Sequence, residues 1–556
     1  MTSIPRAGVA FSLGSQAASS FRDGIASYTR AQQFLTDSVS ATDDDVFEEE
    51  SVIDEEEEVE TPHVEDNGGF HYDSVVGNLR WDEDLTPGPS TATTTPQRQF
   101  LVPKPSRPPS EEGVASPTTH ERTPLLKKTT SLSFLDQPKP HRPPASVTIA
   151  RRSSQLSAST FGQTLFNAIA ILLGIGMLSE PLAFAYAGWV GGTALIISYG
   201  FVTCYTAKIL AKIIYSDFRL RSYSDIGKKA FGPRSGPWIS ALFCLELFTV
   251  SVALVTLYAD SLYSVLPKYS PNVYKLIGLV LLIPTMLMPL SVLSFASIIG
   301  ILSTLLIIAV IFIDGLSKPD APGSLWKPAP TSWNFSSIGE LGISFGLFMA
   351  GFSGHAVVPS LARDMIDPSQ FDKMINYAFI VATAIYTVIG VAGYMMFGNT
   401  VSDEFSRDLM KIPGYNPTLN QIALWGLVLA PLSKYALATR PLNITLELLL
   451  GIDPKDVPHE FTGLHPQRSV AVTRVLKAIE RSAFVVISVI TSILVPEFSS
   501  MMAFLGSFSS FLLCVIGPVS AKIALTGRAS WLDLVILITG IIMAVWGTGA
   551  AIWSAT

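Results

Sequence analysis

The chain has 556 residues, of which 48% are hydrophobic and only 15% charged, and its mean hydropathy is +0.40. A soluble globular protein of this size carries far more charge on its surface, so that class is excluded. The net charge of −7 has two sources: residues 1–154 carry about −10 and leave the remainder at about +3.

Residues 1–154 are polar, acidic and rich in Pro, Ser and Thr. They hold too little apolar surface to offset ordering entropy, and are expected to form a disordered cytosolic tail ahead of a transmembrane domain over 155–556. Glu121 stands four residues before the pair Leu125-Leu126. This matches the acidic dileucine signals that adaptor complexes read on lysosomal and vacuolar proteins, although so short a match also arises by chance. Arg151-Arg152-Ser153-Ser154 has the pattern of a basophilic kinase site, with the same reservation.

From 155 onward the sequence is a series of apolar runs, each near the roughly 20 residues that cross a hydrocarbon core of about 30 Å. The expected spans are 162–185, 187–213, 238–266, 273–290, 294–316, 338–360, 375–398, 419–447, 478–496, 498–524 and 530–553, eleven in all. With the first run starting so late, the first span is expected to act as the targeting signal. Basic residues gather on one side: Arg151 and Arg152, the Lys212–Arg234 region, the Lys455–Arg481 region, and Lys522 with Arg528. The positive-inside rule then puts the N-terminus in the cytosol and the C-terminus in the lumen. Asn334-Phe335-Ser336 is a glycosylation sequon in a non-cytosolic loop, whereas Asn443 lies in or beside the eighth span, out of reach. Cys204, Cys244 and Cys514 each lie within an apolar run, without metal-ligand or disulfide spacing. No cofactor or metal is expected.

Two spans are interrupted. The first contains Gly174-Ile175-Gly176 and the sixth contains Gly351-Phe352-Ser353-Gly354; in each, a proline (Pro181, Pro359) stands five residues after the last of these glycines. Paired glycines let a helix unwind, and unwound backbone is tolerated in hydrocarbon only where it lines a cavity or is buried in protein. Freed N–H and C=O groups at opposed half-helix ends suit a zwitterion, and matched breaks in two halves point to a transporter's binding site. Close helix packing is the plainer use of such glycines, but it does not call for the matched proline spacing. Intramembrane ionisable groups are functional candidates. Glu246 in the third span and Lys434 in the eighth are expected at similar depth, where they would pair; snorkelling to the interface is the alternative for Lys434. His355 is open between proton coupling and a packed, hydrogen-bonded role. Glu180 is expected near the luminal headgroups.

These residues resemble the amino acid/auxin permease family, particularly its fungal vacuolar amino acid transporters. The resemblance is carried by Phe166-Asn167, the Gly174-Ile175-Gly176-Met177 run with Pro181, and Ala187-Gly188-Trp189. A second motif is Pro431-Leu432-Ser433-Lys434-Tyr435 with Pro441 and Glu447. It covers about residues 155–553 and implies an all-α membrane fold: a five-plus-five inverted repeat with broken helices 1 and 6 and an accessory eleventh helix. It also implies that Gly174, Ile175, Gly176, Met177, Gly351, Phe352, Ser353 and Gly354 cradle an amino acid, with Ser433 near the place where sodium-coupled relatives hold their ion. Ala170 stands where many of those relatives carry Asn, which, together with the Lys434 cation, favours protons over sodium.

The expected function is proton-coupled transport of neutral amino acids across the vacuolar or lysosomal membrane, by antiport into the lumen. Proton symport out of the lumen, and a non-transporting amino acid sensor that signals through the tail, remain open. No nucleophile–base pair or metal set supports an enzyme, and nothing points to a nucleic-acid partner.

Overall fold

The first described helix begins where a capping box permits it. Thr160 accepts from the Gln163 N–H, while the Gln163 side chain accepts from the Thr160 N–H at 2.9 Å. This helix, α1, spans Phe161–Leu172. The computed structural model describes residues 159–555 apart from 218, 289, 451 and 453–469. The acidic tail, its Glu121, Leu125 and Leu126 motif and the Arg151–Ser154 site therefore lie outside the described residues.

The described chain is helical, with one isolated bridge between Ser159 and Met365 and no named strand. The remaining helices are α2 Glu180–Ser216, α3 Tyr223–Phe231, α4 Ser235–Val265, α5 Pro271–Met286 and α6 Leu290–Ser317. They continue with α7 Ile338–Gly351, α8 Val358–Asp364, α9 Phe371–Phe397, α10 Pro417–Leu449 and α11 Val470–Leu494. α12 Phe498–Phe504 passes through two π-helical stretches, Leu505–Ser510 and Leu512–Ile516, into α13 Gly517–Thr526, and α14 is Trp531–Ala555.

Among the described residues, seven helical segments are long and apolar enough to cross a bilayer. One of them is double. α2 bends at Gly188, whose φ of +70° suits glycine, and a Cβ there would stand 2.6 Å from the Asn334 backbone. The N–H groups freed by the bend are used: Trp189 donates to Ser332 O and Val190 to Trp333 O, both at 3.1 Å. The first and second expected spans thus share a helix folded over the 318–337 loop. The fourth and fifth expected spans correspond to α5 and α6, of which only shorter apolar stretches, Pro271–Met286 and Leu302–Ser317, stand out by composition.

α10 packs along α4 and α6, α9 along α2, and α7 against α2, α14 and the π-helical stretch. Small residues set the last contact: a Cβ on Gly346 would fall 2.0 Å from Ala503 O, and one on Gly506 1.8 Å from Gly346 O. Buried polar groups pair across helices. Ser251 meets Ser488 at 3.0 Å, Thr256 meets Ser492 at 2.9 Å, and Lys275 Nζ donates to Ser492 O at 2.6 Å. Glu447 of α10 is held by Arg481 and Lys477 of α11 at 2.7 and 2.9 Å. Lys522, Asp533 and Tyr205 tie α13, α14 and α2 together.

Candidate functional site

Both expected breaks are present. α1 stops at Leu172, and Gly174 runs extended (φ −88°, ψ −163°) before a 3-10 turn, Ile175–Ser179, leads into α2. Pro181 lies in the first turn of α2, where a missing N–H costs nothing. α7 stops at Gly351, and Gly354 adopts φ +145°, a conformation reserved for glycine. A second 3-10 turn, His355–Val357, leads into α8, again with a proline, Pro359, in the first turn. Each interruption leaves carbonyls at the end of one half-helix and N–H groups at the start of the next without partners in their own helix.

The two breaks meet. A Cβ on Gly176 would stand 2.8 Å from Gly351 Cα, so backbone lies on backbone. Tyr386 of α9 joins them, its hydroxyl reaching the Leu172 carbonyl and, at 2.8 Å, the Gly351 carbonyl. One O–H thus serves the loose ends of both half-helices. Phe352 lies edge-on to the Tyr386 ring, 5.3 Å between centroids, and Met177 is buried in the same core. Behind the second break, the N–H groups of Gly354 and His355 approach the thiol of Cys514, in the second π-helical stretch.

Glu180 corrects the sequence expectation. It is 0% exposed, not near headgroups, and neither carboxyl oxygen has a hydrogen-bond partner among the described residues. Its Oε1 stands 2.7 Å from where a Gly351 Cβ would be. The helix restarts at Glu180 beyond the 3-10 turn, which brings the carboxyl beside the breaks.

The coupling candidates are dispersed. His355 Nε2 lies 2.9 Å from Thr206 Oγ1 and 3.0 Å from Thr203 O, a packed and hydrogen-bonded imidazole. Ser433 turns its hydroxyl back to Ala430 O at 2.8 Å. The expected pair of Glu246 and Lys434 does not form. Lys434 lies along α6, with Cε 2.7 Å from where a Gly300 Cβ would be, whereas Glu246 has Tyr223 and Cys514 as electrostatic neighbours. The sequence did not show which direction each side chain faces. The sequence reading also missed Tyr386, one of three tyrosines in α9, whose place in the helix gave no signal of its partners.

At the end of the bundle where α4 finishes, a 3-10 turn, Phe405–Met410, reaches α4, α10 and the Ile175–Ser179 turn. Glu404 beside it is fully buried, and burial together with the neighbouring Asp260 holds its carboxyl well above the usual range. Asn334 is exposed in its loop, and Asn443 is buried.

Residues 157–553 match the family described as transmembrane amino acid transporter protein. The chain belongs to that family. It is a multi-pass membrane transporter and not an enzyme. The chain is 28% identical to amino acid transporter AVT1B of Arabidopsis thaliana, over 74% of each protein. It is 27% identical to AVT1D of the same plant over 77% of this chain and 78% of that one. With AVT1H, identity is 31% over 65% of this chain and 80% of the relative.

Proposed function

We propose that the protein exchanges protons for neutral amino acids across the vacuolar or lysosomal membrane, loading the lumen by alternating access. The observation that carries this reading is the meeting of the two broken helices at Gly176 and Gly351, with their carbonyls gathered by Tyr386. Unwound backbone from two helices at one point offers acceptors for an ammonium group and donors for a carboxylate, the common part of every amino acid. Gly174 to Met177 and Gly351 to Gly354 form that cradle within a five-plus-five inverted-repeat frame of eleven spans. The N-terminus is cytosolic and the C-terminus luminal. Adaptor recognition of Glu121, Leu125 and Leu126 directs the protein to its membrane, and Asn334 carries a glycan.

Coupling to protons instead of sodium is supported by Ala170, by the Ser433 hydroxyl being engaged within its own helix, and by the Lys434 cation nearby. Among Lys434, Ser433, Glu246 and His355, Lys434 is the group first tested for coupling. The experiment is amino acid uptake by proteoliposomes in sodium-free buffer, with and without an imposed pH gradient. Gradient-driven uptake is expected in the wild type and is lost in Lys434→Ala. Amino acid binding without gradient-dependent flux, in tight and correctly oriented vesicles, would sink the transport mechanism in favour of a sensor.

A further inference from the structure

Among the described residues, Glu180 is the carboxyl set against both breaks. It opens α2 directly after the first break. Its Oε1 contacts the second break at Gly351, and its Cβ stands 3.4 Å from where a Gly390 Cβ on α9 would be. A side chain at position 351 would displace the carboxyl, so that glycine keeps the space for it, whereas one at 390 would meet Phe184 at 2.7 Å. The nearby hydroxyl, that of Tyr386, reaches the carbonyls of Leu172 and Gly351 instead. Tyr386 is also the titratable group that faces Glu180; no charged side chain of α1, α2, α7 or α9 acts on it. A carboxylate enclosed there without cation or donor is strongly disfavoured. The closed arrangement accommodates the carboxylic acid and not the anion.

We propose that Glu180 carries the transported proton, an inference that rests on the proton-coupled reading of the cycle. While the breaks are closed, the carboxyl keeps its proton. When they part and water reaches it, the O–H bond breaks, the proton passes to water and the electron pair stays on the carboxylate. Reclosure requires the proton to return, from whichever side the water now connects. Closure of the two half-helices and occupancy by the proton thereby become one event, which is what coupling demands of a transporter.

The test uses the full-length protein in tight liposomes with a mixture of radiolabelled neutral amino acids as probe and a pH-reporting dye inside. The wild type accumulates label when a pH gradient is imposed, and added amino acid evokes proton flux. Glu180→Gln is expected to lose both, yet to keep exchange of labelled for unlabelled amino acid without a gradient. Glu180→Asp restores the gradient response with a shifted pH profile. Gradient-driven accumulation retained in Glu180→Gln overturns the inference while leaving proton coupling intact. Loss of exchange as well, in protein that elutes as a single species, also overturns it, because the carboxyl would then be needed to hold the breaks. A wild type with no gradient response removes proton coupling itself, and the inference with it.

Discussion

At the first break Gly174 keeps an ordinary negative φ, and the residue that reopens the helix, Glu180, has no hydrogen-bond partner among the described residues. At the second, Gly354 takes φ +145°, its N–H faces the Cys514 thiol, and His355 is held by Thr206 and Thr203. The same ingredients (glycines, a 3-10 turn and a proline) therefore produce one interruption with an unsatisfied acid and one whose histidine is engaged. Buried polar groups are normally satisfied. On the proposed cycle the second break is the fixed wall and the first carries the proton.

The largest effect is expected where the two touch. Gly176→Ala drives a Cβ to 2.8 Å from Gly351 Cα, backbone that cannot step aside. Overpacking of this kind costs about 1–3 kcal/mol, so uptake by proteoliposomes should fall by about tenfold or more. Near-normal uptake would mean that the breaks do not close on each other during transport. Next comes Tyr386→Phe, which removes the O–H shared by the Leu172 and Gly351 carbonyls. Leaving buried acceptors unsatisfied costs about 1–3 kcal/mol, to be seen as a lower midpoint of thermal unfolding in detergent. An unchanged midpoint would separate the breaks energetically.

The smallest effect is expected at His355. Glutamine can replace its hydrogen bonds but cannot titrate, so His355→Gln should keep the pH dependence of uptake, with at most a modest drop in rate. If the pH profile flattens, the contrast between the breaks is reversed and the second one carries the proton.

The breaks were legible in the sequence because their signals are local: two glycine sets and two prolines at the same spacing. The family was legible through the motifs around Gly174 and Ser433. The rest was lost for physical reasons. Tyr386 acts on Leu172, 214 positions away, and no pattern within α9 announces that. Glu180 was visible but misplaced, because counting height along a continuous helix fails where the helix stops and restarts. Glu246 and Lys434 do not pair, because packing sets Lys434 against Gly300 of α6 and Glu246 near Tyr223 and Cys514. The bend at Gly188 was hidden within what read as two separate spans.

The bridge between Ser159 and Met365 joins the start of α1 to the end of α8. Ser159 N–H donates to Asp364 O at 2.5 Å and Ile366 N–H donates to Ser159 O at 3.0 Å, while the Ser159 hydroxyl engages the Asp364 carboxyl. The chain leading into α1 is thereby stitched to the end of α8. α1 and α8, half-helices from opposite halves of the sequence, are joined at that end, and at its other end α1 is clasped through Tyr386 to α7. α1 is therefore fastened at both of its ends to the elements that flank the second break.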